Sequence, residues 1–144
     1  MARNGKSAVT TGVEKSVKTV VKVTEAPELR PVVSRLFETC KKLLGAFDRH
    51  PYDVSYGLLT RTFESPRGDI EVRFGASLVD LCHGGPRWFE LWVSFKGSLD
   101  KALIQISRDE VHMRCTPYTE KSLREFLGAA LKVTHSALLE AIFG

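Results

Sequence analysis

Hydrophobic positions along the chain change spacing twice, from a helical repeat to strict alternation and back to a helical repeat. From Glu28 to Asp48, the residues Val33, Leu36, Phe37, Cys40, Leu43, Leu44 and Phe47 recur at i, i+3 and i+4, which is one buried stripe of a helix. Pro31 is tolerated in its first turn, and Pro51 ends it. From Thr119 to Phe143 a second stripe runs through Leu123, Phe126, Leu127, Ala130, Leu131, Leu138 and Ile142, with Pro117 and Thr119 marking its start. Between these helices, residues 57–64, 69–81, 87–96, 103–107 and 111–116 read as strands separated by turn chemistry. Upstream, Val13, Val17, Val20 and Val21 have helical spacing although the Val/Thr content of residues 19–24 also suits a strand. The spacing predicts a helix over residues 13–25.

Side chains alternate across a strand, so pairing each run with the next tests whether the runs share one buried face. A turn at Ser65-Pro66-Arg67-Gly68 sets Phe63 against Ile70 and Leu59 against Phe74. One at His83-Gly84-Gly85-Pro86 sets Phe74 against Phe95 and Leu78 against Leu91, and closure over Gly97 to Ala102 sets Ile104 against Phe95 and Ile106 against Val93. Closure over Ser107 to Glu110 sets Val111 against Ile106 and Met113 against Ile104. Apolar meets apolar in every case. The expected fold is therefore α+β, an antiparallel meander of four to five strands packed with N-terminal helices and a long C-terminal helix. Residues 1–12 read as a flexible basic tail and 13–144 as one domain.

The opposite face is unusual for a solvated surface. In the run Arg87 to Lys96, Phe89, Leu91, Val93 and Phe95 fall on the core side, while Trp88, Glu90, Trp92, Ser94 and Lys96 fall on the other. With them go Thr60, Thr62, Glu71, Arg73, Gly75, Ser77, Val79, Leu81, Gln105, His112 and Arg114. The paired register sets Trp92 beside the small Ser77 and near Gly75, leaving its ring proud of the sheet, and sets Arg73 across from Lys96. Indoles flanked by cations suit a single strand of nucleic acid, whose bases stack on rings at about 1–3 kcal/mol each while phosphates take the charges. The competing reading is that helices or a second subunit cover this face and the tryptophans are packing residues.

Composition narrows the setting. At 144 residues and 43% hydrophobic the chain can bury one core without staples. Cys40, Cys82 and Cys115 form no CxxC pair, so neither a zinc ribbon nor a disulfide scaffold is indicated. No signal-like leader and no apolar run of the roughly 18 residues that span a bilayer is evident, so a soluble, cytoplasmic protein is expected. Asn4 and Gln105 are the only carboxamides, a depletion of the kind seen in thermophile proteins. The net charge is +4, with ten Lys/Arg against five Asp/Glu in residues 1–50. Through Lys15, Lys18, Lys22, Lys41 and Lys42 this part would extend a track for a polyanion.

Catalytic motifs are weak. Arg67-Gly68-Asp69 sits in a hairpin, where glycine serves turn geometry. His83-Gly84-Gly85 resembles an esterase oxyanion loop, but no GxSxG elbow supplies a nucleophile. Glu64, Asp69, Glu71 and Arg73 loosely resemble a metal-dependent nuclease set. The four histidines are not at metal-ligand spacing, and Walker A and GxGxxG are missing. No catalytic residue, metal or cofactor is assigned.

A basic helical N-terminal part, a sheet carrying Trp88 and Trp92, and a long C-terminal helix together resemble the ThermoDBP family of archaeal single-stranded DNA-binding proteins. The resemblance covers most of the chain. It implies a cleft between sheet and helices, floored by apolar and aromatic side chains and rimmed by Lys/Arg, with Arg73, Trp88, Trp92, Lys96 and Arg114 as the matching kinds of residue. The family's founding members dimerise through a leucine-zipper helix. Here the seam Leu127, Leu131, Thr134, Leu138 and Ala141 is weaker, leaving the oligomeric state open.

The sequence reading is thus single-stranded DNA or RNA binding with little sequence preference. Trp88 and Trp92 would stack bases, Arg73, Lys96 and Arg114 would meet phosphates, and Gln105 and His112 would hydrogen-bond base edges or sugar. The rival is a protein-interaction module whose tryptophan face or last helix is a dimer interface.

Overall fold

The computed structural model describes residues 17–22, 24, 26–46, 53–55, 57–85, 87–116 and 120–143. In chain order the elements are β1 (Val17–Lys22), a single 3-10 turn (Pro27–Leu29), α1 (Arg30–Ala46), β2 (Asp53–Ser55), β3 (Leu58–Glu64), β4 (Ile70–Ser77), α2 (Leu78–Cys82), β5 (Phe89–Phe95), β6 (Lys101–Ile106), β7 (Glu110–Thr116) and α3 (Glu120–Phe143). The fold is α+β. The five expected strands form the meander β3 to β7, and one further strand joins each edge, giving the order β1-β7-β6-β5-β4-β3-β2. The expected tail, Lys15 and Phe47 lie outside the described residues.

The helix expected over residues 13–25 is corrected where it is described: Val17–Lys22 is β1, antiparallel to β7 with Val20 opposite His112 and Lys18 opposite Arg114. Helical spacing of the valines loses to two effects. β-branched residues favour extended backbone, and the outer edge of β7 offers a row of backbone groups that a partner strand satisfies.

α1 and α3 pack together over one face of the sheet. Their stripes (Val33, Leu36, Phe37, Cys40 and Leu43; Phe126, Leu127, Ala130, Val133 and Leu138) meet Val72, Phe74, Phe89, Leu91, Val93, Ile104, Ile106 and Met113, all buried. Phe89 lies at the centre, 5.5 Å ring to ring from both Phe37 and Phe74. The space between sheet and helices is thereby filled with side chains, so the cleft that the resemblance implies at that place is occupied by core. Leu127, Thr134 and Leu138 of the expected dimer seam are also buried within the chain's own core, whereas Leu139, Ile142 and Phe143 at the end of α3 are exposed. The expectation that no segment reaches membrane-spanning character needs correction as well. Lys121–Phe143 is long and apolar enough by length and composition, although part of it is buried inside the protein. A core helix with few charges meets the same criterion.

Three of the four expected registers shift, each by an even number of residues. Phe63 opposes Val72 rather than Ile70, Phe74 opposes Leu91 rather than Phe95, and Ile104 opposes Leu91 rather than Phe95. The β6–β7 register, with Ile106 opposite Val111 and Ile104 opposite Met113, is as expected. The largest cause is local. The strand expected to run to residue 81 stops at Ser77, whose hydroxyl accepts the Asp80 backbone N–H at 3.4 Å and caps α2. The connection to β5 is then a helix plus a loop rather than the four-residue hairpin turn expected at His83 to Pro86. Likewise β6 begins at Lys101, earlier than expected. At the β3–β4 turn, Gly68 has φ +73, a conformation that favours glycine. Ser65 fixes the same turn by donating its hydroxyl to Asp69 Oδ1 at 2.6 Å while accepting the Ile70 N–H.

Candidate nucleic-acid interface

Even-numbered register shifts leave face assignments intact, so the strand residues expected opposite the core do lie there, with new neighbours, whereas Val79 and Leu81, expected on the same face, belong to α2. One row across the sheet reads Arg114, Leu103, Trp92, Arg73, Thr62; the next reads His112, Gln105, Glu90, Gly75, Thr60. α1 and α3 lie against the other, core face, and on this side Thr60 is itself buried. Trp88, Glu90, Trp92, Leu103, Gln105 and His112 are half-buried, and Arg73 and Arg114 are exposed.

Trp92 is the centre of the face. The register sets Arg73 directly opposite it, and the Arg73 guanidinium sits 5.2 Å from the ring centroid, a cation–π arrangement. The indole does not stand proud beside Ser77. It leans across Gly75, where an added Cβ would come within 3.1 Å of Cζ3. On its other side Trp92 walls a cavity of about 310 Å³ with Ser94, Lys101, Leu103 and Arg114. An aromatic wall, an aliphatic wall and two rim cations make a receptacle for a flat, apolar-faced group attached to an anion.

Trp88 stands four residues away, immediately before β5, about 13 Å at roughly 3.3 Å per residue of extended chain. Its ring meets His112 edge-on at 4.9 Å, and His112 Nε2 lies 2.8 Å from Glu110 Oε1. Trp88, Glu90, Gln105 and His112 line a further cavity with Leu58 and Ser77. A third, lined by Leu103, Gln105, His112 and Arg114, joins the other two. The three form a trough running obliquely over β5, β6 and β7 with one tryptophan at each end. Lys96 falls outside it. Its ammonium donates to Glu64 Oε1 at 2.6 Å, which holds its pKa above the ordinary lysine value, and it does not face Arg73 as the sequence register expected.

Glu90 lies in the trough floor. Partial burial raises its pKa above the usual carboxylate value, offset in part by a hydrogen bond from Gln105. A proton is therefore retained to higher pH in the folded protein than in the unfolded chain. The fold is favoured by this group below the unfolded pKa, and that contribution is lost as pH rises through the folded value. For a polyanion in the trough the direction is the same, since protonation removes a repelling charge. Affinity for a single-stranded oligonucleotide is expected to rise as pH is lowered from 7 toward 5, more in the wild type than in Glu90→Gln. The histidines are common to both proteins, so equal slopes in anisotropy titrations would show that Glu90 does not face the ligand.

Asp69 is committed to its turn, where the Ser65 hydrogen bond lowers its pKa. Among the described residues no three His, Cys, Asp or Glu side chains cluster closely enough to hold a metal ion. Two trough residues escape the sequence reading. Lys101 and Leu103 alternate with Ala102 and Ile104: the parity of the expected strand 103–107 already sets Leu103 on the open face, and starting that strand at residue 101 would have put Lys101 there as well.

No protein-family model, curated protein or solved structure gives a significant match to this chain.

Proposed function

We propose that the face of the sheet opposite α1 and α3 binds single-stranded nucleic acid, DNA or RNA, with little sequence preference and without catalysis. One observation carries this reading: Trp92, with the Arg73 guanidinium over its ring, borders a base-sized cavity rimmed by Lys101 and Arg114. Bases stack on rings irrespective of sequence, and cations at the rim meet the phosphates. Arg73, Lys101 and Arg114 make no ion pair among the described residues, so their charges remain available. α3 acts in this reading as a core helix rather than a membrane anchor.

Three phosphate contacts imply a log–log salt slope of about −2 for a single strand, and thus a roughly fifteenfold weakening between 50 and 200 mM salt. Titration of labelled oligo-dT and of a duplex at these two concentrations checks both points. Preference for the single strand with that slope supports the reading; no binding of oligo-dT at 50 mM salt defeats it. A second reading, association through the end of α3, has Leu139, Ile142 and Phe143 in its favour, exposed by 43%, 58% and 82%. Concentration-dependent mass in sedimentation, abolished by Phe143→Ser, would support it.

A further inference from the structure

Beyond the trough, at the end of the sheet where the β4–β5 connection and the β6–β7 turn approach α1, lies a larger cavity of about 650 Å³. Three cations from three separate elements line it: Lys41 from α1, Arg87 from the segment entering β5, and Arg108 from the β6–β7 turn. Each backbone is anchored. Lys41 is within a helix, the Arg87 N–H donates to Asp80 Oδ2 at 3.3 Å, and Ser107 Oγ accepts the N–H groups of Asp109 and Glu110 at 3.3 and 3.1 Å, folding the turn that presents Arg108. Lys41 and Arg108 converge on the buried Phe37 ring, at 5.9 and 6.0 Å from its centroid. Of the two carboxylates in the lining, Glu110 is held by His112 and Asp109 sits at the exposed tip of the turn. Lys41 lies 3.7 Å from Glu38 Oε2 on its own helix, an exposed pair, whereas Arg87 and Arg108 have no carboxylate partner among the described residues. Gly84 and Gly85 form bare wall, with φ of +105 and +114.

Trp88 lines both this cavity and the neighbouring part of the trough. We propose that the cavity is a nucleotide-phosphate site, in which Lys41, Arg87 and Arg108 hold a phosphate monoester whose base lies against Trp88. Its occupant is the phosphorylated end of a strand lying in the trough. This rests on the reading of the face above, and a free mononucleotide shares the same chemistry. A monoester carries more charge than the diester links within a strand, and three converging cations reward that difference. The orientation also gives the trough a polarity, because one end of the strand enters the cavity and the other leaves past Trp92.

The test uses the full chain and two kinds of ligand, at 50 mM salt. Oligo-dT of one length carries a hydroxyl at both ends, a 5′-phosphate or a 3′-phosphate, and thymidine 5′-monophosphate is titrated separately by calorimetry. The expected result is that one phosphorylated end, and not the other, binds roughly tenfold tighter than the unphosphorylated strand, as charge-assisted hydrogen bonds of this kind allow. That ratio is expected to collapse toward one in Arg108→Ala and again in Arg87→Ala, both of which replace exposed residues and should leave the melting temperature in place. Oligonucleotides that bind equally with and without terminal phosphate, with no binding of the mononucleotide, would overturn the cavity proposal and leave the trough reading standing. Mononucleotide binding that Arg108→Ala removes, with no oligonucleotide binding, would support the phosphate site while overturning the trough. No binding of either ligand would overturn both.

Discussion

Replacing Trp88 and Trp92 together with alanine is expected to weaken oligo-dT binding at least thirtyfold, while circular dichroism and the melting profile stay close to wild type. The magnitude follows from two stacked bases at about 1 kcal/mol or more each, with every 1.4 kcal/mol worth a factor of ten. The retained fold follows from position. Both rings are half-buried on the side of the sheet away from the core, so truncation removes a surface rather than opening a cavity among packed side chains. Trp92→Ala alone is expected to have the larger share, because Trp92 carries both the cation–π partner Arg73 and the 310 Å³ cavity. An aromatic Trp92→Phe should recover part of the loss, which separates stacking from bulk. Anisotropy titrations of the three variants measure this. Unchanged affinity in the double variant would show that the rings do not meet bases and would return the face to the protein-interaction reading.

Phe89→Ala is expected to have the opposite profile, a large loss of stability from a residue that touches no ligand. Phe89 is fully buried and its ring meets Phe37 of α1 and Phe74 of β4 at 5.5 Å each, so its removal leaves a void that three elements share. Phe-to-Ala changes in cores cost about 3–5 kcal/mol, a large part of the roughly 5–15 kcal/mol that holds a typical domain together. Urea unfolding of wild type and variant, with an unchanged slope and a lowered midpoint, is the measurement. A shift below about 1 kcal/mol would mean that the helices do not rest on the sheet through this ring. Since Phe89 and Trp88 are adjacent in sequence and face opposite ways, the pair of experiments also separates the two sides of the sheet.

Much of the fold is legible in the order of residues. The stripes of α1 and α3 are placed to within a few residues, because a 3.6-residue period sustained over several turns admits few alternatives. The five meander strands stand out because turn residues punctuate the alternation. Less is legible at the edges. The valines of β1 fit either period, and the deciding fact is the open edge of β7, which lies about ninety residues away in the chain. The run to Leu81 alternates like a strand, although Ser77 with Asp80 three residues on is a capping signal.

For the candidate site the division is sharper. Sequence parity suffices to say which side of the sheet each residue occupies, because the side-chain period of a strand is two and every register difference here is even. Arg73, Trp88, Trp92, Gln105, His112 and Arg114 are therefore assigned to one face whatever their neighbours. Which of them touch is settled only in the folded molecule. Register depends on where each connection closes, and that is set by the α2 cap and the early start of β6 rather than by any residue on the face. Those closures move Arg73 from Lys96 to Trp92, give Lys96 to Glu64, and bring Leu103 and Lys101 beside the indole. They also gather Lys41, Arg87 and Arg108 around one cavity. Periodicity is a property of neighbours along the chain, whereas a binding site is made by residues that loop closure brings together, and no spacing in the sequence records that distance.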